Sequence, residues 1–81
     1  MRKLTKDELE AVLHIPIEEV IQDRDNTKLD VERLKSELYG LHESGGSRLD
    51  IFMNNTLITQ GEDLIEALNQ IIEYRKSNSH E

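Results

Sequence analysis

Eight residues between positions 17 and 41 recur at alternating spacings of three and four, and this pattern constrains the fold more than any other feature. The spacing matches the a and d positions of a heptad, whose side chains lie on one side of a helix. Pro16 suits the first turn of such a helix, and Glu18 and Glu19 favour its positive end. We therefore expect a long helix, α2, at about residues 16–43, and we call its heptad positions the α2 seam: Ile17, Val20, Arg24, Thr27, Val31, Leu34, Leu38 and Leu41.

The middle of the α2 seam is polar. Arg24 and Thr27 interrupt the apolar positions within a segment that is rich in weak helix formers. Thr27 followed by Asp30 also resembles a helix start, so two helices at about 16–24 and 28–42 are an alternative to one continuous helix. In the continuous helix, which we favour, the two polar residues would fix the register of the seam at some cost in stability.

Two further helices are predicted near the ends of the chain. Thr5 and Glu8 have the spacing of a capping box, which predicts a first helix at about residues 6–13. Gly61 is followed by acidic residues and by apolar residues at helical spacing, which predicts a last helix at about residues 62–76. Residues 77–81 are polar, and we expect them to fray.

A β-hairpin is predicted at about residues 48–60, after a turn at the two glycines of Ser44–Ser47. Its two segments are rich in Ile, Phe, Leu and Thr, and Asn54-Asn55 between them tolerates the positive φ of a tight turn. Both faces of this hairpin would carry apolar groups, which favours self-association. The predicted fold is therefore one small α+β domain over residues 1–81, rich in helix and dimeric.

Composition also favours a dimer. Only 36% of the 81 residues are hydrophobic and 33% are charged, so a lone chain has little core to bury. We expect a homodimer whose interface is the α2 seam, although leucines at this spacing can also pack against other helices of the same chain. The chain has no cysteine, which excludes disulfides, thiol nucleophiles and cysteine zinc sites.

No catalytic, cofactor or metal site is predicted. The segment that begins at Asp23 imitates the first ligands of a calcium loop, but Lys28 replaces the required glycine and Leu34 replaces the bidentate glutamate. The three histidines lie far apart in the sequence, whereas zinc needs three or four converging ligands. Glycine-rich phosphate loops and nucleophile elbows are missing as well, so we do not expect an enzyme.

The charge balance indicates the kind of partner. The chain carries 17 acidic and 10 basic side chains, and its net charge of −7 disfavours general binding to nucleic acids. Residues 49–74 contain no lysine or arginine, so they should expose an acidic surface formed by Asp50, Glu62, Asp63, Glu66 and Glu73. This surface either only keeps the protein soluble or binds a protein with a basic surface. The first hypothesis is a non-catalytic protein–protein interaction module, an adaptor or inhibitor that acts as a homodimer.

Residues 8–21 resemble a helix-turn-helix, with apolar residues where that motif packs its two helices. The alternative function that this resemblance implies is a small DNA-binding transcription regulator. The segment departs from the motif at Glu10 and at His14, which replace a small residue and the turn glycine. The helix that would enter DNA also begins with acidic residues, which phosphates repel.

A cytoplasmic location is expected, with no membrane partner. The basic residues at the start of the chain are followed by Asp7, Glu8 and Glu10 rather than by the apolar stretch of a signal peptide. No apolar run in the sequence reaches the length that crosses a bilayer.

Overall fold

The chain folds into a hairpin of two long helices. A computed structural model, which describes residues 3–78, contains three helices and no strand in that range. They are α1 (Lys6–Ala11), α2 (Ile17–Ser44) and α3 (Arg48–Asn78). Helices α2 and α3 pack side by side, and the molecule measures 55 × 21 × 16 Å.

The first helix begins at the capping box. Thr5 Oγ1 accepts a hydrogen bond from the backbone N–H of Glu8 at 3.2 Å, and Glu8 Oε1 accepts one from the backbone N–H of Thr5 at 2.9 Å. These bonds satisfy N–H groups that a helix start otherwise leaves without partners. Helix α1 ends at Ala11 rather than at residue 13, and two turns lead from there to Pro16.

Polar contacts join the α1 region to the last part of α3. The backbone N–H of Leu4 donates to Gln70 Oε1 at 2.7 Å, and the Tyr74 hydroxyl donates to Glu10 Oε2 at 3.3 Å. Arg75 donates to the backbone carbonyl of Ile15 in the connection between α1 and α2. The short helix is therefore held against the end of the hairpin that lies far from the α2–α3 turn.

Helix α2 continues without a break through its polar middle. The Thr27 hydroxyl donates to the backbone carbonyl of Asp23 at 2.7 Å, so it is satisfied by the preceding turn of the same helix. Arg24 donates from Nη1 to Asn69 Oδ1 on α3 at 3.2 Å. Both residues thus find partners inside the hairpin, and the polar segment does not start a separate helix.

A glycine turn ends α2 and reverses the chain. Gly45 adopts the left-handed conformation, with φ 72°, and the backbone N–H of Gly46 donates to the carbonyl of Leu41 at 2.7 Å. This is the Schellman arrangement, in which glycine takes the positive φ that other residues avoid. Ser47 then caps the next helix, because its Oγ accepts from the backbone N–H of Asp50 at 3.1 Å.

The predicted β-hairpin at residues 48–60 is wrong. This segment forms the first part of α3, which runs from Arg48 to Asn78 without a break. The helix passes through Asn54-Asn55, where a turn was expected, and through Gly61, where a new helix was expected to begin. The α+β fold class is thus corrected to an all-helical fold over the described residues, while its helix-rich part is confirmed.

Packing against α2 explains why a strand-like composition becomes helical. Strand propensity depends strongly on context, and most of the stability of a helix comes from burying one of its sides. Helix α3 has such a side, because all eight residues of a second heptad pattern are buried or half-buried. We call these positions the α3 seam: Ile51, Asn54, Ile58, Gly61, Ile65, Leu68, Ile72 and Arg75.

The two seams meet in an antiparallel register. Gly61 lies against Val31, so closely that an added Cβ would be 2.5 Å from Val31 Cγ2. The Arg24–Asn69 bond lies on one side of this contact and a Lys35–Glu62 ion pair lies on the other. The core is thin, since its buried hydrophobic residues among those described are Val20, Val31, Ile58 and Ile72.

Candidate functional site

Four of the five predicted acidic residues share one side of α3. A helix turns by about 100° per residue, so Glu62, Asp63, Glu66 and Glu73 fall within about one third of its circumference. All four side chains are exposed, and we call them the acidic face. Asp50 is exposed too but lies in the first turn of α3 on the far side, where its charge favours the helix start.

A shallow groove of about 550 Å³ runs between α2 and α3 beside the acidic face. Val31 and Ile65 supply apolar surface within it. Lys35 Nζ lies 3.1 Å from Glu62 Oε2, so one ion pair bridges the two helices across this groove. The remaining lining residues are Lys28, Glu32, Asp63 and Glu66.

A second groove of about 420 Å³ lies where the α1 region meets α3. Leu4 and Leu9 are its apolar lining residues, and Glu66 and Glu73 line it from α3. Glu66 therefore belongs to both grooves and lies where they meet. The other lining residues are Lys3, Asn69 and Gln70.

The two grooves together offer apolar surface within a mainly acidic rim. Five carboxylates and three lysines line them, and one lysine is engaged by Glu62. Both grooves are open to solvent along their length, so they suit the side chains of another macromolecule better than an enclosed small ligand. Within residues 3–78, no three His, Asp or Glu side chains converge as a metal site.

The α2 seam lies inside the hairpin. Val20 and Val31 are buried and the other six residues are half-buried, all on the side of α2 that packs against α3. The α2 seam thus packs against another helix of the same chain. The sequence left this packing open as the alternative to a dimer interface.

The segment that resembles a helix-turn-helix forms α1, the turns after it and the start of α2. Glu18, Glu19 and Asp23 are exposed along the first turns of α2. These carboxylates lie on the exposed surface of the segment, and phosphates repel them. The structure therefore adds no support for DNA binding by this segment.

Sequence reasoning missed both grooves, because each depends on α3 being one helix. The sequence predicts strands at residues 48–60, and it gives no position for the last helix relative to the long one. A signal was present, since isoleucine recurs every seven residues at Ile51, Ile58, Ile65 and Ile72. That repeat indicates a continuous helix with one buried side.

No helix within residues 3–78 is both long enough and apolar enough to span a bilayer. Comparison with protein-family models, with curated proteins and with solved structures finds no match to the chain.

Proposed function

We propose that the chain is a non-catalytic protein–protein interaction module, an adaptor or inhibitor, that binds a basic segment of another protein along its acidic face. The observation that carries this proposal is the meeting of two grooves at Glu66. Each groove combines apolar surface with carboxylates, and the two continue along one side of the hairpin.

The chemistry of the grooves defines the partner. Val31, Ile65, Leu4 and Leu9 can take up apolar side chains, and the surrounding carboxylates can pair with lysine or arginine. A helix with leucines on one side and basic residues beside them supplies both groups. The net charge of −7 would also attract such a segment over a distance, which raises its association rate.

A synthetic helical peptide of leucine and lysine, labelled with a fluorophore, is a suitable probe for this proposal. We expect the protein to bind it, and to bind it more weakly at high salt, because added ions screen the attraction between exposed charges. A peptide with the same leucines but with glutamate in place of lysine should not bind. Fluorescence anisotropy at low and high salt measures both peptides.

Charge reversal at Glu66 should weaken binding of the leucine–lysine peptide by about tenfold or more, because it replaces attraction with repulsion where the grooves meet. Glu43→Lys is the matched control, since it changes the net charge equally at an exposed position near the α2–α3 turn. The control should keep the affinity within about twofold. Equal weakening by both variants would contradict a site at the acidic face.

A further inference from the structure

Helix α3 carries one more heptad pattern, which faces away from the acidic face. We call it the outer seam, and its positions alternate in spacing between four and three: Met53, Leu57, Gln60, Leu64, Ala67, Ile71 and Tyr74. The first four are exposed, with 53% exposure at Met53, 47% at Leu57 and 48% at Leu64. The last three are half-buried, towards the end of α3 that the α1 region contacts.

A helix with two heptad seams is typical of bundles, in which it packs against two other helices. Helix α2 packs against the α3 seam, but no described part of the chain covers the first half of the outer seam. Single exposed apolar or aromatic residues are ordinary on protein surfaces, and Leu29 and Tyr39 on α2 are examples. An aligned apolar row is not ordinary, and it marks a surface for association.

We propose that the outer seam binds a second copy of this chain, with the two α3 helices antiparallel and the two hairpins forming a four-helix bundle. The seam is self-complementary about a two-fold axis at Gln60, as such a dimer requires. About this axis Met53 of one copy faces Ala67 of the other, and Leu57 lies within one residue of the position opposite Leu64. The two Gln60 amides meet on the axis, where each can donate and accept a hydrogen bond.

The surface area of the single chain supports binding of a second copy at the outer seam. The chain exposes 6043 Å². A compact protein of 9.4 kDa would expose about 5,000 Å². The excess of about 1,000 Å² is comparable to the roughly 800 Å² that each partner buries in a standard interface. The radius of gyration of 16.0 Å likewise exceeds the roughly 12 Å of a compact domain of this length.

The charge pattern also permits two copies to meet. None of the seven outer-seam positions is charged, so the seam itself places no carboxylate or ammonium group at the centre of the contact. The net charge of −7 on each copy makes the two copies repel each other, and salt screens this repulsion. High salt should thus strengthen the dimer, whereas it should weaken binding of a basic partner. The dimer goes beyond the proposed function and leaves the acidic face of both copies free.

The molar mass in solution tests the dimer. It is measured by light scattering during size exclusion, over a wide range of concentrations and at low and high salt. We expect a mass near twice 9.4 kDa, with a larger dimer fraction at high salt. Leu57→Glu should halve the mass, because it places a carboxylate in the apolar contact. Leu29→Glu makes the same change at an exposed leucine outside the outer seam and should leave the dimer intact. Circular dichroism confirms that both variants are folded.

Cross-linking tests the two-fold axis in this cysteine-free chain. Gln60→Cys should form a disulfide between copies on mild oxidation, whereas the exposed neighbour Thr59→Cys should not. Each of four results would overturn the proposal: a monomer at all concentrations, an assembly larger than two chains, a dimer that survives Leu57→Glu, or equal cross-linking at both positions. A monomer that still binds the leucine–lysine peptide through Glu66 would overturn the dimer alone and leave the proposed function standing.

Discussion

Replacing Gly61 with alanine is expected to lower the free energy of unfolding by about 1–2 kcal/mol. Alanine normally stabilises a helix relative to glycine by about 1 kcal/mol. At Gly61 the added methyl group would lie 2.5 Å from Val31 Cγ2. Val31 is buried and branched at Cβ, so it cannot turn away without disturbing the α2–α3 contact. The cost of overpacking therefore exceeds the gain in helix propensity.

Gly40→Ala is the matched control for this substitution. Gly40 lies on α2 with no atom within 4 Å of an added Cβ. Its replacement should raise the free energy of unfolding by about 0.5–1 kcal/mol. Urea unfolding of both variants at one protein concentration measures the difference, since association adds to apparent stability. If Gly61→Ala stabilises the protein as much as Gly40→Ala does, the close contact between α2 and α3 does not exist.

Replacing Asn54 with leucine is expected to raise the free energy of unfolding by about 1–3 kcal/mol, the usual cost of a buried polar group without a partner. Asn54 is buried at an α3-seam position, and its Oδ1 accepts no hydrogen bond from any residue in the described range 3–78. Leucine would remove this oxygen and add apolar surface towards the leucines of α2. A polar residue at a core position fixes helix register, so the variant should also melt less cooperatively.

Asn55→Leu is the control, because the neighbouring asparagine is exposed on the same helix. It should change the free energy of unfolding by no more than about 0.5 kcal/mol. Denaturant unfolding, with thermal melting as a second probe, compares the two variants. A loss of stability in Asn54→Leu alone would show that the Asn54 oxygen has a hydrogen-bond partner, and it would contradict this prediction.

The sequence predicts α2 well because two independent signals agree. Pro16 sets the start of the helix, and the α2 seam continues through Arg24 and Thr27 to the glycine turn. The seam pattern does not say which surface it meets, because a second chain and a helix of the same chain satisfy the same apolar stripe. Its partner in the structure is α3, which is visible only once residues 48–78 are read as one helix.

The error at residues 48–60 has a specific physical cause. Ile, Phe, Thr and Asn-Asn favour a strand and a turn locally, and Gly61 is a weak helix former. These local preferences amount to a few kcal/mol at most, and burying Ile51, Ile58 and Ile65 against α2 outweighs them. Gly61 itself has a packing role, since only a residue without a side chain fits opposite Val31.

The acidic residues of the candidate site follow from charge patterning, but their arrangement does not. The lack of lysine and arginine in residues 49–74 predicts an acidic surface that includes Asp50, and the structure has Glu62, Asp63, Glu66 and Glu73 exposed on one side of α3. Asp50 is separated from them because the rotation along α3 places it on the opposite side of the helix. Val31 of α2 and Leu4 and Leu9 of the α1 region line the grooves from segments that are distant from α3 in sequence, and a local pattern cannot show this.

The two proposals use different sides of α3. Glu66 and Leu57 are nine residues apart, and at about 100° per residue this places them on opposite sides of the helix. A dimer through the outer seam would thus present two acidic faces outwards. Salt should act on the two associations in opposite directions, which allows one titration to separate them.

Nuclear magnetic resonance of the chain in solution tests the helical hairpin most directly. We predict helical Cα chemical shifts without interruption from Arg48 to Asn78, including Asn54-Asn55 and Gly61. The Hα protons of Gly61 should also show nuclear Overhauser contacts with the methyl groups of Val31. Extended-strand shifts at residues 48–53 and 56–60, with contacts between those two segments, would contradict the hairpin and with it both grooves and the outer seam.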